Sequence, residues 1–469
     1  MLVINILRRY ICSMNNIIKR TWKRFLTIIS LTKQQTGTDV VMVNQQCKTN
    51  LSKQDIHDTL IESILENELI RQTTSLSLIA TENSVSKAVF KVNTNVFINK
   101  YTEGYPGNRY YEGCEFVDKL EETAIDRAKC LFKCKYANVQ PYSGSQMNQA
   151  VVLALLSSGD TIMAMDQKYG GYLKHGSVVN ISGMWFKSIS YGIDPKTGLI
   201  NMDEVLNCAM RYRPRLIIVD SNFYPRKIDW KAFRQIANTV ESFLLADISH
   251  IAGLIVTGLH PSPIGYCDVV TTTTHSSLRG PHGGLILSNN KELFNCISDS
   301  LFPGLQDEPM INVIAAKAMT FLEVQQNDYK TWIKSVVENA KAMVERFKIK
   351  KIDVVSNGTD NHLIIIDLKT LGIANKQVTS LLNRCCIVLN KNIVLKGSLP
   401  TNIISNLRLS TCACTSRGLT KEDFEKVADM IADILLEIKN KGELSLSLED
   451  NTRKQVLNIT NKYPINYNI

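Results

Sequence analysis

No acidic residue precedes Asp39 in this 469-residue chain, no Cys-x-x-Cys pair occurs among its 12 cysteines, and no internal repeat is present. Long apolar runs are missing too: none approaches the roughly 18 residues that a membrane span requires, which predicts a soluble body. Of the cysteines, Cys385-Cys386 and Cys412-x-Cys414 are the tight pairs. Neither a zinc site nor a disulfide framework is indicated, and reduced thiols in an intracellular compartment are expected. The missing acids matter most. The formal net charge is +10, from 54 Lys and Arg against 44 Asp and Glu, a surplus that invites a nucleic-acid partner. Seven of those bases, Arg8, Arg9, Lys19, Arg20, Lys23, Arg24 and Lys33, stand ahead of Asp39, leaving 47 bases against 44 acids in the remainder. No nucleic-acid partner is therefore expected.

What is present begins with that segment. Lys19, Arg20, Lys23 and Arg24 recur at one-turn spacing while Trp22, Phe25 and Ile29 fall on another side, so a helix here is basic on one face and apolar on the other. An acid-free, basic, amphipathic N-terminus fits an organelle transit peptide over residues 1–45; a disordered or surface-bound extension is the alternative. The mitochondrial matrix is the simplest destination, and a plastid-type organelle stays open. An N-terminal arm is expected over 46–75.

From about Ser75, short β-branched runs alternate with longer helical ones. Thr161 to Met165, Arg215 to Val219, Ser242 to Ala246, Asp268 to Thr272 and Leu285 to Leu287 read as buried strands. Helix-length segments such as Gln146 to Leu156 and Trp230 to Glu241 lie between them. This alternation predicts an α/β fold with a mainly parallel sheet, covered by helices on both faces, over 76–330. A long helical stretch from Val313 through Met343 then leads to a smaller α/β domain over 331–445. Residues 446–469, rich in Asn, Lys and Ser, read as a loose tail.

Ligands of such sheets gather at the carboxyl ends of the strands. Ser143-Gly144-Ser145-Gln146 opens a helix, and free N–H groups there, with two hydroxyls and a glycine, make a phosphate cradle; a plain serine N-cap is the bland alternative. Asp247 ends an apolar run, where a carboxylate needs a compensating cation such as a protonated pyridine ring, unless it serves as a helix cap. Four threonines, Thr271 to Thr274, run into His275 and a glycine-rich turn reaching Gly284, which suits a strand edge emptying into a pocket.

These strings resemble the serine hydroxymethyltransferases, pyridoxal-phosphate enzymes of the aminotransferase-like (fold type I) class that move a one-carbon unit from serine to tetrahydrofolate. The resemblance rests on Asn99 to Gly107 with Arg109-Tyr110-Tyr111, Asn138 to Tyr142 with the cradle, Phe302-Pro303-Gly304, Gly358 to Leu363 and Thr415-Ser416-Arg417-Gly418, within about residues 55 to 440. It implies that Ser143, Gly144 and Ser145 hold the cofactor phosphate, with Asp247 on the pyridinium nitrogen. His250 and His275 would line the ring and its hydroxyl side. Tyr172 would stand where the family's ring-stacking histidine does. Arg408 would clamp the substrate carboxylate. Tyr101 and Glu103, supplied from the neighbouring subunit, would reach the phosphate and do proton work, with Tyr111 beside the substrate. It also implies serine, glycine and folate as ligands and a homodimer or tetramer.

The pattern also breaks. The family's Schiff-base lysine follows the histidine corresponding to His275, and here that position is Ser276. A hydroxyl cannot form an imine, and amino acids would lose the intramolecular amine through which they enter and leave the cofactor. Asp307 and Glu308 stand where the family has Gly-Gly against the phosphate; each carboxylate at 4 Å costs on the order of 4 kcal/mol at an effective dielectric of about 20. His282 stands for an arginine, Asn222 for a serine near the ring hydroxyl, and Ser410-Thr411-Cys412 for Gly-Thr-Pro. The expectation is a family-shaped pseudoenzyme that holds pyridoxal phosphate non-covalently at best and acts as structural or regulatory partner of an active isoform, in a homo- or mixed oligomer. The alternative is an active glycine hydroxymethyltransferase with another base, Lys174 being the nearest candidate.

Overall fold

The computed structural model describes residues 58–166, 171, 180–390 and 406–465. The expected transit segment, Tyr172 and Lys174 lie outside them. The chain divides into two units, Met1–Glu62 and Ser63–Ile469. Of the first, residues 58–62 are described and exposed; everything below concerns the second.

Seven strands form the main sheet: β1 (Tyr136–Asn138), β2 (Thr161–Met165), β3 (Lys187–Tyr191), β4 (Leu216–Asp220), β5 (Phe243–Asp247), β6 (Val269–Thr273) and β7 (Gly284–Ser288), in the spatial order β1-β7-β6-β5-β4-β2-β3. The pairings from β3 to β6 are parallel, and β7 is antiparallel to both β6 and β1. This is the mainly parallel α/β sheet the sequence predicts. The central strands are buried along their length because both faces are covered by helices, which is why Leu216–Asp220 is an unbroken apolar run up to its last residue. Among those helices are α1 (Gly144–Leu155) and α2 (Trp230–Thr239), the latter capped by Asp229, whose carboxylate accepts from the N–H of Ala232 at 3.0 Å.

The long helical stretch is two helices, α3 (Ile311–Val324) and α4 (Asn327–Ile349), because the chain leaves helical geometry at Gln326 (ψ 154°). The N-terminal half of α4 places Ile333, Val336 and Val337 in the core of the seven-stranded sheet. Its C-terminal half places Ala340, Met343 and Phe347 in a second core around β8 (Leu363–Asp367) and β9 (Asn406–Ser410).

Two expected boundaries need correction. Leu76 and Leu78 belong to the second core, since Leu76–Ser77 pairs in parallel with Ile387–Val388. Burial of two leucines and two ladder contacts decides the placement, and proximity in sequence to the larger domain does not. The expected loose tail is a helix, Leu446–Lys462, capped by Ser445. Composition hid it: Leu448, Thr452, Val456 and Ile459 recur at helical spacing, and Val456 and Ile459 are buried in the second core. Its end is tied down by Arg417, whose Nε donates to the carbonyl of Tyr463 at 2.6 Å.

Candidate active site

The cradle is built as its sequence suggests. Ser143 is extended (φ −151°) and caps α1, its Oγ accepting from the N–H of Gln146 at 3.3 Å. A Cβ on Gly144 would stand 2.8 Å from Cγ2 of Thr273, so glycine is what lets the helix start this close to the end of β6. Ser145 follows in the first turn, where unpaired N–H groups and the helix dipole favour an anion.

Asp247, last residue of β5, lies beside Asp220 of β4 and Thr271 of β6 in register. It is buried, and its Oδ2 accepts from Nδ2 of Asn148 on α1 at 2.8 Å, while its Oδ1 accepts from the N–H and Oγ of Ser249 at 3.1 and 2.5 Å. Oδ1 of Asn148 accepts in turn from Thr271 Oγ1 at 2.7 Å. Neutral donors on the helix and on the turn after the strand thus satisfy a carboxylate for which the sequence called for a cation. Asn148 and Ser249 were not singled out in the sequence, although the Asp-x-Ser spacing of an Asx turn was visible.

His250, Asn222 and Arg408 come together from three elements. Nε2 of His250 lies 2.8 Å from Oδ1 of Asn222, and Arg408 Nη1 donates to the same oxygen at 2.8 Å. His362 lies behind them, its Nε2 2.9 Å from the carbonyl of His250 and its Nδ1 2.8 Å from Ser410 Oγ. Burial, then the charge of Arg408, hold His250 well below the usual imidazole range; burial brings His362 down to about 4. The unfolded chain therefore binds a proton at His362 from about pH 6.5 downward, whereas the folded chain does not until about pH 4. Stability contributed by neutral His362 is present above pH 6.5 and is lost as pH falls toward 4, by about 3 kcal/mol from this residue. The urea midpoint of the full chain should drop across that window, and a flat profile would show that His362 is not held neutral.

The turn after β6 is fixed by a segment far away in sequence. Ser276 is 1% exposed and sits at φ +55°, a left-handed geometry that L residues disfavour. Its Oγ donates to the carbonyl of Ala80 at 2.9 Å, and its own carbonyl accepts from Nδ2 of Asn83 at 2.8 Å. His275 faces His282, with ring centroids 4.4 Å apart. A cavity of about 650 Å³ opens beside this turn, lined by Glu82, Asn83, Tyr142, His275 and His282 among others.

Tyr101, Glu103 and Tyr111 are elsewhere, on the surface. Tyr101 packs edge-on against Tyr111 and its hydroxyl donates to Glu103 Oε1 at 3.1 Å. The hydrogen bond to Glu103 and the charge of Glu308 raise its pKa. Glu308 is also tied to Tyr142, whose hydroxyl donates to its main-chain carbonyl. Burial, followed by the charges of Glu308 and Asp307, pushes the Tyr142 phenol up to about 12. Both acids thus lie close to the residue that precedes Ser143, and Glu308 also lies near Tyr101.

A helix-start cradle, a buried acid at a strand end and a histidine-bearing turn, all at the carboxyl edge of a mainly parallel sheet, agree with the aminotransferase-like, fold type I α/β class that the resemblance implies and the family match below supports. The family model described as serine hydroxymethyltransferase matches residues 54–431. The chain is 48% identical over 408 residues to a serine hydroxymethyltransferase of Prochlorococcus marinus, covering 87% of this chain and 98% of that one. It is 46% identical over 417 residues to a serine hydroxymethyltransferase of Rickettsia akari, covering 88% and 98%. The chain belongs to the serine hydroxymethyltransferase family, whose members bind serine or glycine and folate, use pyridoxal phosphate and are generally oligomeric.

Toward pyridoxal phosphate the residues fit at two ends and not at the third. Ser143, Gly144 and Ser145 would offer a helix N-terminus to a phosphate, and Asp247 would offer a buried carboxylate to a ring nitrogen. At the aldehyde end, to which the resemblance assigns position 276, the side chain is a hydroxyl already bonded to Ala80.

Proposed function

We propose that this chain is a serine hydroxymethyltransferase-family subunit with little or no turnover of its own, serving glycine, serine and folate one-carbon metabolism as a structural or regulatory partner of an active copy. The observation that carries this reading is Ser276, buried and hydrogen-bonded to Ala80, at the position that the resemblance assigns to the family's Schiff-base lysine. Pyridoxal phosphate, when bound, acts in this family as an electron sink on the amino acid. Here Ser143, Gly144, Ser145, Asp247 and His250 would hold it without a covalent bond, His275 and Tyr172 would flank the ring, and Arg408 would receive a carboxylate. Tyr101 and Tyr111, which are exposed, and Glu103 beside them would meet a neighbouring subunit of a homodimer, a tetramer or a mixed oligomer. The basic N-terminus supports delivery to the mitochondrial matrix, or to a plastid-type organelle.

The second reading is an active glycine hydroxymethyltransferase, which interconverts serine plus tetrahydrofolate with glycine plus methylenetetrahydrofolate. The names of relatives at 46–48% identity favour it. Borohydride reduction of the full chain with added pyridoxal phosphate, followed by peptide mass spectrometry, separates the two. No lysine adduct is expected; a stoichiometric adduct on a pocket lysine or on Lys174 would overturn the pseudoenzyme reading.

A further inference from the structure

Arg408 of β9 is held from two sides by one dipeptide in the loop after β4. Its Nη1 donates to the main-chain carbonyl and to Oδ1 of Asn222, at 2.9 and 2.8 Å. The ring of Phe223 lies 4.4 Å from its Cζ, within cation–π range. Arg408 is 6% exposed and Asn222 9%, so both bonds are made out of water, where a lost partner is costly. The loop is itself anchored: the N–H of Asn222 donates to Oδ1 of Asp220 at 3.0 Å, at the end of β4.

The amide has one workable orientation. The Arg408 guanidinium can only donate, which puts Oδ1 of Asn222 toward it; Nε2 of His250, 2.8 Å from the same oxygen, therefore carries the hydrogen and donates. Oδ1 then accepts one bond from the imidazole and one from the guanidinium. A flipped amide would turn its NH₂ group toward the guanidinium and lose that bond.

We propose that Asn222 and Phe223 form an internal latch on Arg408, which competes with the carboxylate of a small amino acid for the guanidinium and makes this chain a weak binder of glycine and serine. The proposal rests on the reading of Arg408 as the carboxylate clamp. An end-on bidentate clamp needs both terminal nitrogens of the fork, and Nη1 is engaged twice by Asn222 while Phe223 covers a face. The latch is tethered and preorganised, whereas a dissolved amino acid must give up its translational freedom to displace it. Each of its bonds is to a neutral oxygen and is weaker than one to a carboxylate, so the latch lowers affinity and does not abolish it.

Titration calorimetry of the full chain with glycine as probe tests this in the wild type and in Asn222→Ser, Phe223→Leu and Asn222→Asp. Asn222→Ser should bind glycine about tenfold tighter or more, a difference of about 1.4 kcal/mol, and Phe223→Leu should shift the same way by less. Asn222→Asp, which sets a carboxylate against the guanidinium, should bind more weakly than the wild type. Equal affinity across wild type, Asn222→Ser and Phe223→Leu, none in all three included, overturns the latch, as does tighter binding by Asn222→Asp. Should Asn222→Ser fail to fold, the other two variants decide. A wild type that turns serine over would sink the pseudoenzyme reading and leave this comparison intact; equal affinities would sink the latch alone.

Discussion

Purified full-length chain, given serine, tetrahydrofolate and pyridoxal phosphate, should release glycine at least about five orders of magnitude more slowly than a lysine-bearing member of its family. A well-oriented intramolecular amine is worth roughly 7 to 11 kcal/mol, and each 1.36 kcal/mol is a factor of ten in rate. Ser276→Lys alone should recover only a small share of that loss. Position 276 is buried, bonded to Ala80 and clasped by Asn83 in a left-handed turn, so a lysine there must open the contact before its amine can reach a ligand. Asp307 and Glu308 would also remain, close enough to Tyr142 to raise its phenol pKa. Adding Asp307→Gly and Glu308→Gly to Ser276→Lys should therefore raise turnover further. Full activity from the single variant, in a coupled methylenetetrahydrofolate assay, would show that the acids do not matter.

Lys317→Met should destabilise the chain by about 3 to 5 kcal/mol, which urea unfolding followed by circular dichroism would measure. Lys317 is 1% exposed within the apolar helix α3. Its Nζ donates to the carbonyls of Val139, Pro141 and Gly284 at 2.6, 3.0 and 2.9 Å. Three acceptors match the three hydrogens of an ammonium, although burial pulls the group down to about 7 with only the charge of Glu121 opposing. A methionine of similar length keeps the packing and leaves three buried carbonyls without that donor, each worth about 1 to 3 kcal/mol and not fully additive. Because Val139 and Pro141 lead directly into Ser143, the variant should also loosen the cradle. A loss below about 1 kcal/mol would mean that water takes over the three bonds.

Where the sequence was legible, a continuous physical signal made it so. Thr161–Met165 was placed to the residue because a strand covered on both faces is apolar throughout; Leu216–Asp220 was read one residue early because its last position is an aspartate. The helix Leu446–Lys462 was missed because its four inward residues are diluted among polar ones. In the site, Ser143, Asp247 and the threonine run stood out as polar groups at strand and helix ends. The contact that most defines Arg408 did not, because Asn222 lies 186 residues away in sequence and neither side chain is unusual by itself. Likewise Ala80 offers only a carbonyl to Ser276, and a main-chain acceptor leaves no mark in composition. Lys317 did leave one, a charge in the middle of a mostly apolar helix, but nothing in its neighbours pointed to Val139, Pro141 and Gly284.

Helix α4 has a consequence for how the molecule comes apart. Its 23 residues make a rod of about 34 Å, with one half sunk in the sheet core and the other in the core around β8 and β9. Melting either core would strip half of the rod's apolar stripe and leave a helix too short to persist in water on its own. The two lobes of Ser63–Ile469 are thus thermodynamically yoked, and damage to one is felt as a lower melting point of both.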